Sequence, residues 1–174
     1  MIEVLRIGHR PERDRRVTTH VCLVARAFGA NGVLISRPDP SIEVGIRKVV
    51  AKFGGDFYVK PCVDWRGYIR NFEGTKVHLT MYGEPLEPLV HGLPKEAPTL
   101  VIVGASKVPP SVYEMADFNI SVTNQPHSEV AALALFLDRW FGCRELKRDF
   151  GGPLKIIPCK RGKKVVDLRR GEEE

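Results

Sequence analysis

Three segments combine small and turn-forming residues with few reactive side chains, the composition of loops that let a backbone close on a ligand. They are Leu79-Thr80-Met81-Tyr82-Gly83-Glu84-Pro85, Val103-Gly104-Ala105-Ser106-Lys107-Val108-Pro109-Pro110 and Ser121-Val122-Thr123-Asn124-Gln125-Pro126-His127-Ser128. No G-x-G-x-x-G and no G-x-x-x-x-G-K-[ST] is present, which argues against a dinucleotide or P-loop enzyme. Groups able to orient or deprotonate a substrate are concentrated elsewhere, in Arg6, Arg10, Arg13, Arg15, Arg16, His20 and Arg26. A second basic run from position 144 to 170 holds ten Lys or Arg against Glu145, Asp149 and Asp167. With a net charge of +6 and a pI near 9.3, this distribution favours a polyanionic partner, although a solvated basic face explains charge alone equally well. Cys22, Cys62, Cys143 and Cys159 form no C-x-x-C, so no zinc, redox or other metal site is expected. Buried thiols are the simpler expectation, with an intracellular disulfide left open by the scarcity of Asn and Gln, a mark of thermophilic chains.

The elements that must position these groups follow a regular alternation. Short apolar runs at 3–8, 32–36, 56–60, 76–82, 99–104 and 119–122 read as strands, and the stretches between them carry helical periodicity. Val17, Val21, Val24 and Phe28 form one helical stripe closed by Gly29; Ile42, Ile46, Val49 and Phe53 form another, opened by Asp39-Pro40 and closed by Gly54. A weaker helix is expected at 65–72, and a strongly apolar one at 128–141. The expected fold is α/β, a mainly parallel six-stranded sheet flanked by helices over residues 1–150. Residues 151–174 add a basic β-hairpin, with strands at 154–159 and 164–168 around a glycine turn, and a frayed tail. At 174 residues, with 43% hydrophobic and 28% charged, the chain suits one soluble domain. No apolar run nears the ~20 residues that span a bilayer, and Met1 to Arg6 does not resemble a signal peptide, so the expected location is cytoplasmic with no membrane partner. In a parallel sheet, ligands bind beyond the carboxyl ends of the strands, where all three loops fall.

The run Leu100-Val101-Ile102-Val103-Gly104-Ala105-Ser106-Lys107-Val108-Pro109, a short helix, and then the continuous run from Phe118 through Pro126-His127-Ser128-Glu129-Val130-Ala131 to Leu137 resembles motifs two and three of the SPOUT RNA methyltransferases. His9-Arg10-Pro11-Glu12-Arg13-Asp14-Arg15-Arg16 through Gly29-Ala30 resembles their divergent archaeal branch, which 2′-O-methylates the T-loop cytidine at tRNA position 56. This resemblance covers about residues 1–145. It implies a C-terminal trefoil knot, a homodimer, a tRNA substrate and S-adenosylmethionine held mostly by backbone groups. Carried onto this chain, the cofactor residues are Leu79, Val103, Gly104, Ala105, Ser106, Lys107, Ser121, Val122, Thr123, Asn124, Gln125, Pro126, His127 and Ser128.

Two motifs depart from the family pattern. Relatives tend to have Leu-Asn-Val-Ser where this chain has Ser128-Glu129-Val130-Ala131. They also place a reactive arginine six residues ahead of the motif glycine, where this chain has Leu23. Residues seven apart share a helical face, so Arg16 is the first substitute, with His20 second and Arg26 and Arg10 as alternatives. An arginine stays protonated and serves best by orienting ribose or phosphate and stabilising developing charge; His20 has the better pKa for a base. Arg10, Arg15, Lys160, Arg161, Lys163 and Lys164 are the expected RNA contacts. The competing readings are a SPOUT enzyme acting on a base and a basic RNA-binding module without catalysis.

Overall fold

The computed structural model describes residues 1–105 and 107–170. Six parallel strands form the sheet: β1 (Ile2–Ile7), β2 (Gly32–Ile35), β3 (Tyr58–Pro61), β4 (Thr75–Pro85), β5 (Thr99–Gly104) and β6 (Phe118–Ser121), in the order β3-β2-β1-β5-β4-β6. β1 is buried along its whole length and β5 along all but its last residue, as strands covered on both faces must be, which is why they read as continuous apolar runs. Alternation divides their side chains between two cores. Val4, Val33, Val77, Val101 and Ile120 face the layer of α1 (Pro11–Ala27), α2 (Pro40–Phe53) and α6 (Glu129–Phe141). Leu5, Ile7, Leu34, Leu100 and Ile102 face α3 (Trp65–Asn71) and α5 (Pro110–Met115).

Helix ends follow the local chemistry. Asp39 caps α2 by accepting from the Ser41 amide at 3.2 Å, with Pro40 in the first turn. Gly54 ends that helix at φ 80°, where a Cβ would meet the Phe150 carbonyl oxygen at 2.1 Å. Ser128 caps α6 through the Val130 amide at 3.2 Å. On α6, Ala132, Leu133, Phe136, Leu137 and Trp140 are buried, while Leu135 remains 44% exposed.

The longest departure from the sequence reading is β4, expected to end at residue 82. Both Leu79 and Glu84 pair with Ile120, so residues 80–83 loop out of the strand and the chain rejoins the ladder through Pro85. Gly83 permits this, since a Cβ there would sit 2.4 Å from the Asn119 carbonyl oxygen. A short helix, α4 (Leu86–Val90), follows. The expected hairpin is present as antiparallel β7 (Leu154–Ile157) and β8 (Lys164–Asp167), and its root is fastened by an isolated bridge between Gly54 and Gly151. The Glu172-Glu173-Glu174 tail lies outside the described residues.

Candidate functional site

A cavity of about 310 Å³ opens at the carboxyl ends of β4 and β5. One wall is β4 where it leaves the ladder, from His78 to Tyr82; a second is Gly104 at the end of β5 with Ala105, Lys107 and Val108 beyond it; a third is His127, Glu129 and Ala132 at the start of α6. Asn124 stitches these loops together, its Nδ2 donating to the carbonyls of Met81 at 2.7 Å and Gly83 at 3.2 Å.

Of the expected cofactor residues, Leu79, Gly104, Ala105, Lys107 and His127 line this cavity. Ser121, Val122, Thr123 and Asn124 line a neighbouring cavity of about 220 Å³ between α4 and α6. The Val103 side chain is fully buried in the core. Gln125 accepts from His127 through its carbonyl, Pro126 is exposed, and Ser128 serves as the cap of α6. Ser106 lies outside the described residues.

The residues proposed for chemistry are dispersed along α1. Arg16 and His20 are exposed and do not line the cavity of their own chain, because the helical face they share points away from the sheet. The alternatives are committed elsewhere: Arg10 pairs with Asp14 at 2.8 Å, and buried Arg26 donates to the Gly54 carbonyl at 2.7 Å and stacks on Phe150. Arg15 pairs with Asp39 at 3.1 Å while staying half exposed. Lys160, Arg161, Lys163 and Lys164 are all exposed around the hairpin turn.

A buried polar chain that the sequence reading missed connects α1 to the cavity. Arg6, 1% exposed on β1, donates to the Gly104 carbonyl at 2.5 Å and to Glu129 Oε1 at 2.7 Å, and its Nε lies 3.5 Å from the Thr18 hydroxyl. That hydroxyl is 2.9 Å from His9 Nδ1, and His9 Nε2 is 3.2 Å from Asp39 Oδ2, which also receives Arg15. A carboxylate can only accept, so Nε2–H donates to Asp39; in the neutral imidazole Nδ1 then accepts from Thr18, and all the bonds from Arg6 to Asp39 run in one direction. Burial alone would raise the Asp39 carboxyl, but donation from Ser41, Arg15 and His9 outweighs it and lowers the pKa to about 2. The available signals were the residue types themselves, an arginine and a histidine, Arg6 and His78, placed in strands of a sheet covered on both faces.

His78 is the second missed residue. Asn119 donates through Nδ2 to the Tyr113 carbonyl at 2.9 Å, which turns its Oδ1 toward His78 Nδ1, also at 2.9 Å. Nδ1 therefore carries the hydrogen, and Nε2 is a bare acceptor, buried and without a partner among the described residues. Burial lowers the His78 pKa, opposed by the bond to Asn119. The Ser121 hydroxyl is likewise buried and unpartnered. Among the described residues no three His, Cys, Asp or Glu side chains are grouped to hold a metal ion, the cysteines are free thiols, and no helix is long and apolar enough to cross a membrane.

Residues 53–166 match the family model described as tRNA ribose 2′-O-methyltransferase, aTrm56. The chain is 54% identical over 165 residues to the tRNA (cytidine(56)-2′-O)-methyltransferase of Picrophilus torridus, covering 95% of this chain and 48% of that one. Identity to the protein of the same name from Methanothrix thermoacetophila is 54% over 169 residues, covering 95% and 97%. The chain belongs to the aTrm56 family. It spans about half the length of the Picrophilus relative and of another from Thermoplasma volcanium. Among solved structures, an RNA 2′-O ribose methyltransferase superposes with a TM-score of 0.58 at 18% identity, covering 83% of this chain and 56% of that one. The SpoU methyltransferase AviRb from Streptomyces viridochromogenes, in complex with AdoMet, gives 0.56 at 16% identity, covering 83% and 60%. At such identities the likeness establishes the SpoU-type fold.

Proposed function

We propose that this chain transfers the methyl group of S-adenosylmethionine to a ribose 2′-hydroxyl of tRNA, at the cytidine for which its relatives are named. The observation that carries the reading is the cavity at the carboxyl ends of β4 and β5, walled by the three loops, in a chain 54% identical to enzymes so named. The residues present fit the cofactor: an apolar cleft whose lining includes His78 with its buried, unpartnered Nε2, with Lys107 on one wall and Glu129 on another. When bound, the cofactor supplies an electrophilic sulfonium methyl. This chain's own task is to hold the ribose hydroxyl in line with that methyl and stabilise the charge that develops as its proton leaves.

Arg16 and His20 do this from a second copy of the chain. They lie on the exposed face of α1 beside Val17, 39% exposed, and α1 packs against α6, where Leu135 is 44% exposed. Apolar residues uncovered on two adjoining helices support a homodimer in which each α1 reaches the other copy's cavity. Arg10, Arg15 and the hairpin tip, Lys160, Arg161, Lys163 and Lys164, hold the tRNA backbone, an arrangement supported by their charge and by the exposure of all but the half-buried Arg10. The SpoU-type fold shared with the solved structures supports a C-terminal knot. Isothermal calorimetry with S-adenosylmethionine, followed by tRNA-dependent incorporation of its labelled methyl, tests the reading. Absence of cofactor binding sinks it.

A further inference from the structure

Glu129 opens the first turn of α6, a helix of 13 residues whose amino end carries partial positive charge and on its own favours an anion. Its carboxylate reverses that preference at the cavity wall. One oxygen, Oε1, is held at 2.7 Å by the guanidinium of Arg6, while Oε2 has no partner among the described residues, and the side chain remains 26% exposed beside the cavity. Arg6 itself is 1% exposed, so it touches no ligand. Its second donor fixes the Gly104 carbonyl at 2.5 Å, on the neighbouring wall of the cavity. The buried cation thus occupies the Gly104 oxygen and Oε1, and leaves Oε2 as the unpartnered oxygen of a carboxylate held in the cavity lining. Burying an arginine is expensive unless its partners are fixed, and the bonded chain through Thr18, His9 and Asp39 supplies that fixing. Independently, His78, a residue of the same lining, keeps its buried Nε2 without a partner among the described residues.

We infer that Glu129, positioned by Arg6, is the countercharge that recognises a cationic centre of the methyl donor. The inference rests on S-adenosylmethionine as the donor and adds a residue that selects for its charge. Lys107, the other charged residue of the lining, repels a cation, which leaves Glu129 as the one carboxylate facing the cavity among its described lining residues.

The test is calorimetric binding of three nucleosides to the wild type and to Glu129→Gln, which is isosteric and keeps an oxygen for Arg6. S-adenosylmethionine carries a sulfonium and an ammonium, S-adenosylhomocysteine only the ammonium, and 5′-methylthioadenosine neither. Glu129→Gln is expected to weaken S-adenosylmethionine about tenfold, a loss of roughly 1.4 kcal/mol, while leaving 5′-methylthioadenosine unchanged. Unchanged methylthioadenosine binding also reports an intact cavity. S-adenosylhomocysteine then assigns the cation: an equal loss identifies the ammonium, no loss the sulfonium. Equal effects on all three nucleosides, or no effect on any, overturn the inference. Failure of the wild type to bind any of them overturns instead the cofactor reading beneath it.

Discussion

Replacing Asp39 with Asn tests the buried chain that ends at the cavity wall. Asp39 is 2% exposed and accepts from the Ser41 amide, the Ser41 hydroxyl, His9 and Arg15. Asn keeps an oxygen for the cap of α2 but turns an amino group toward two donors, His9 Nε2–H and the Arg15 guanidinium. An ordinary aspartate titrates near 3.9, and here the carboxyl lies at about 2. The difference amounts to roughly 2.5 kcal/mol of stability, and the stranded His9 donor adds about 1 kcal/mol. Because the folded pKa is the lower one, this stabilisation is fully present above about pH 4 and disappears as the pH falls through 2. Urea unfolding followed by circular dichroism should place Asp39→Asn about 3.5 kcal/mol below the wild type at pH 7, with a melting temperature lower by roughly 7–14 °C. The gap should narrow steadily between pH 4 and pH 2. A gap below about 0.5 kcal/mol at pH 7, or one that persists unchanged at pH 2, refutes the reasoning.

Light scattering at micromolar concentration should give about twice the 19.5 kDa chain mass, and Leu135→Glu should shift it toward the single chain. Reversing the charges of Lys160, Arg161, Lys163 and Lys164 should raise the KM for tRNA and flatten its salt dependence without moving cofactor affinity; unchanged tRNA binding would reduce the tip to a solubilising surface. Arg16→Ala should lower the single-turnover rate on saturating tRNA by at least about a hundredfold with cofactor binding intact, and Arg16→Lys should rescue little, since a point charge does not reproduce the planar fork. If His20→Ala or Arg26→Ala abolishes transfer while Arg16→Ala does not, the role belongs to that residue.

The six strands and the three large helices were legible because their signals are local: apolar runs for a doubly covered sheet, and 3.6-residue stripes closed by Gly29 and Gly54. The loop in β4 was not, because its cause is a steric allowance, Gly83 against the Asn119 backbone, that appears only once β6 lies alongside. The ligand cavity was readable as composition, and Gly104, Ala105 and Lys107 are in its wall, yet the loop from Ser121 to Ser128 was read as one unit when its residues divide between two cavities, the core and a helix cap. Arg6 and Glu129 are 123 positions apart and His9 and Asp39 are 30 apart, so no spacing rule could join them; the parallel sheet does. Arg16 and His20 were chosen by helical phase, which orders residues around α1 but does not say which side faces the sheet.

Nucleoside mass spectrometry decides the central claim. A tRNA transcript is incubated with the protein and S-adenosylmethionine, digested, and compared with a transcript carrying 2′-deoxycytidine at the target position. The account predicts a single 2′-O-methylcytidine in the T-loop of the first and no methylation of the second. A methyl on a base, or equal incorporation into the deoxy transcript, contradicts it.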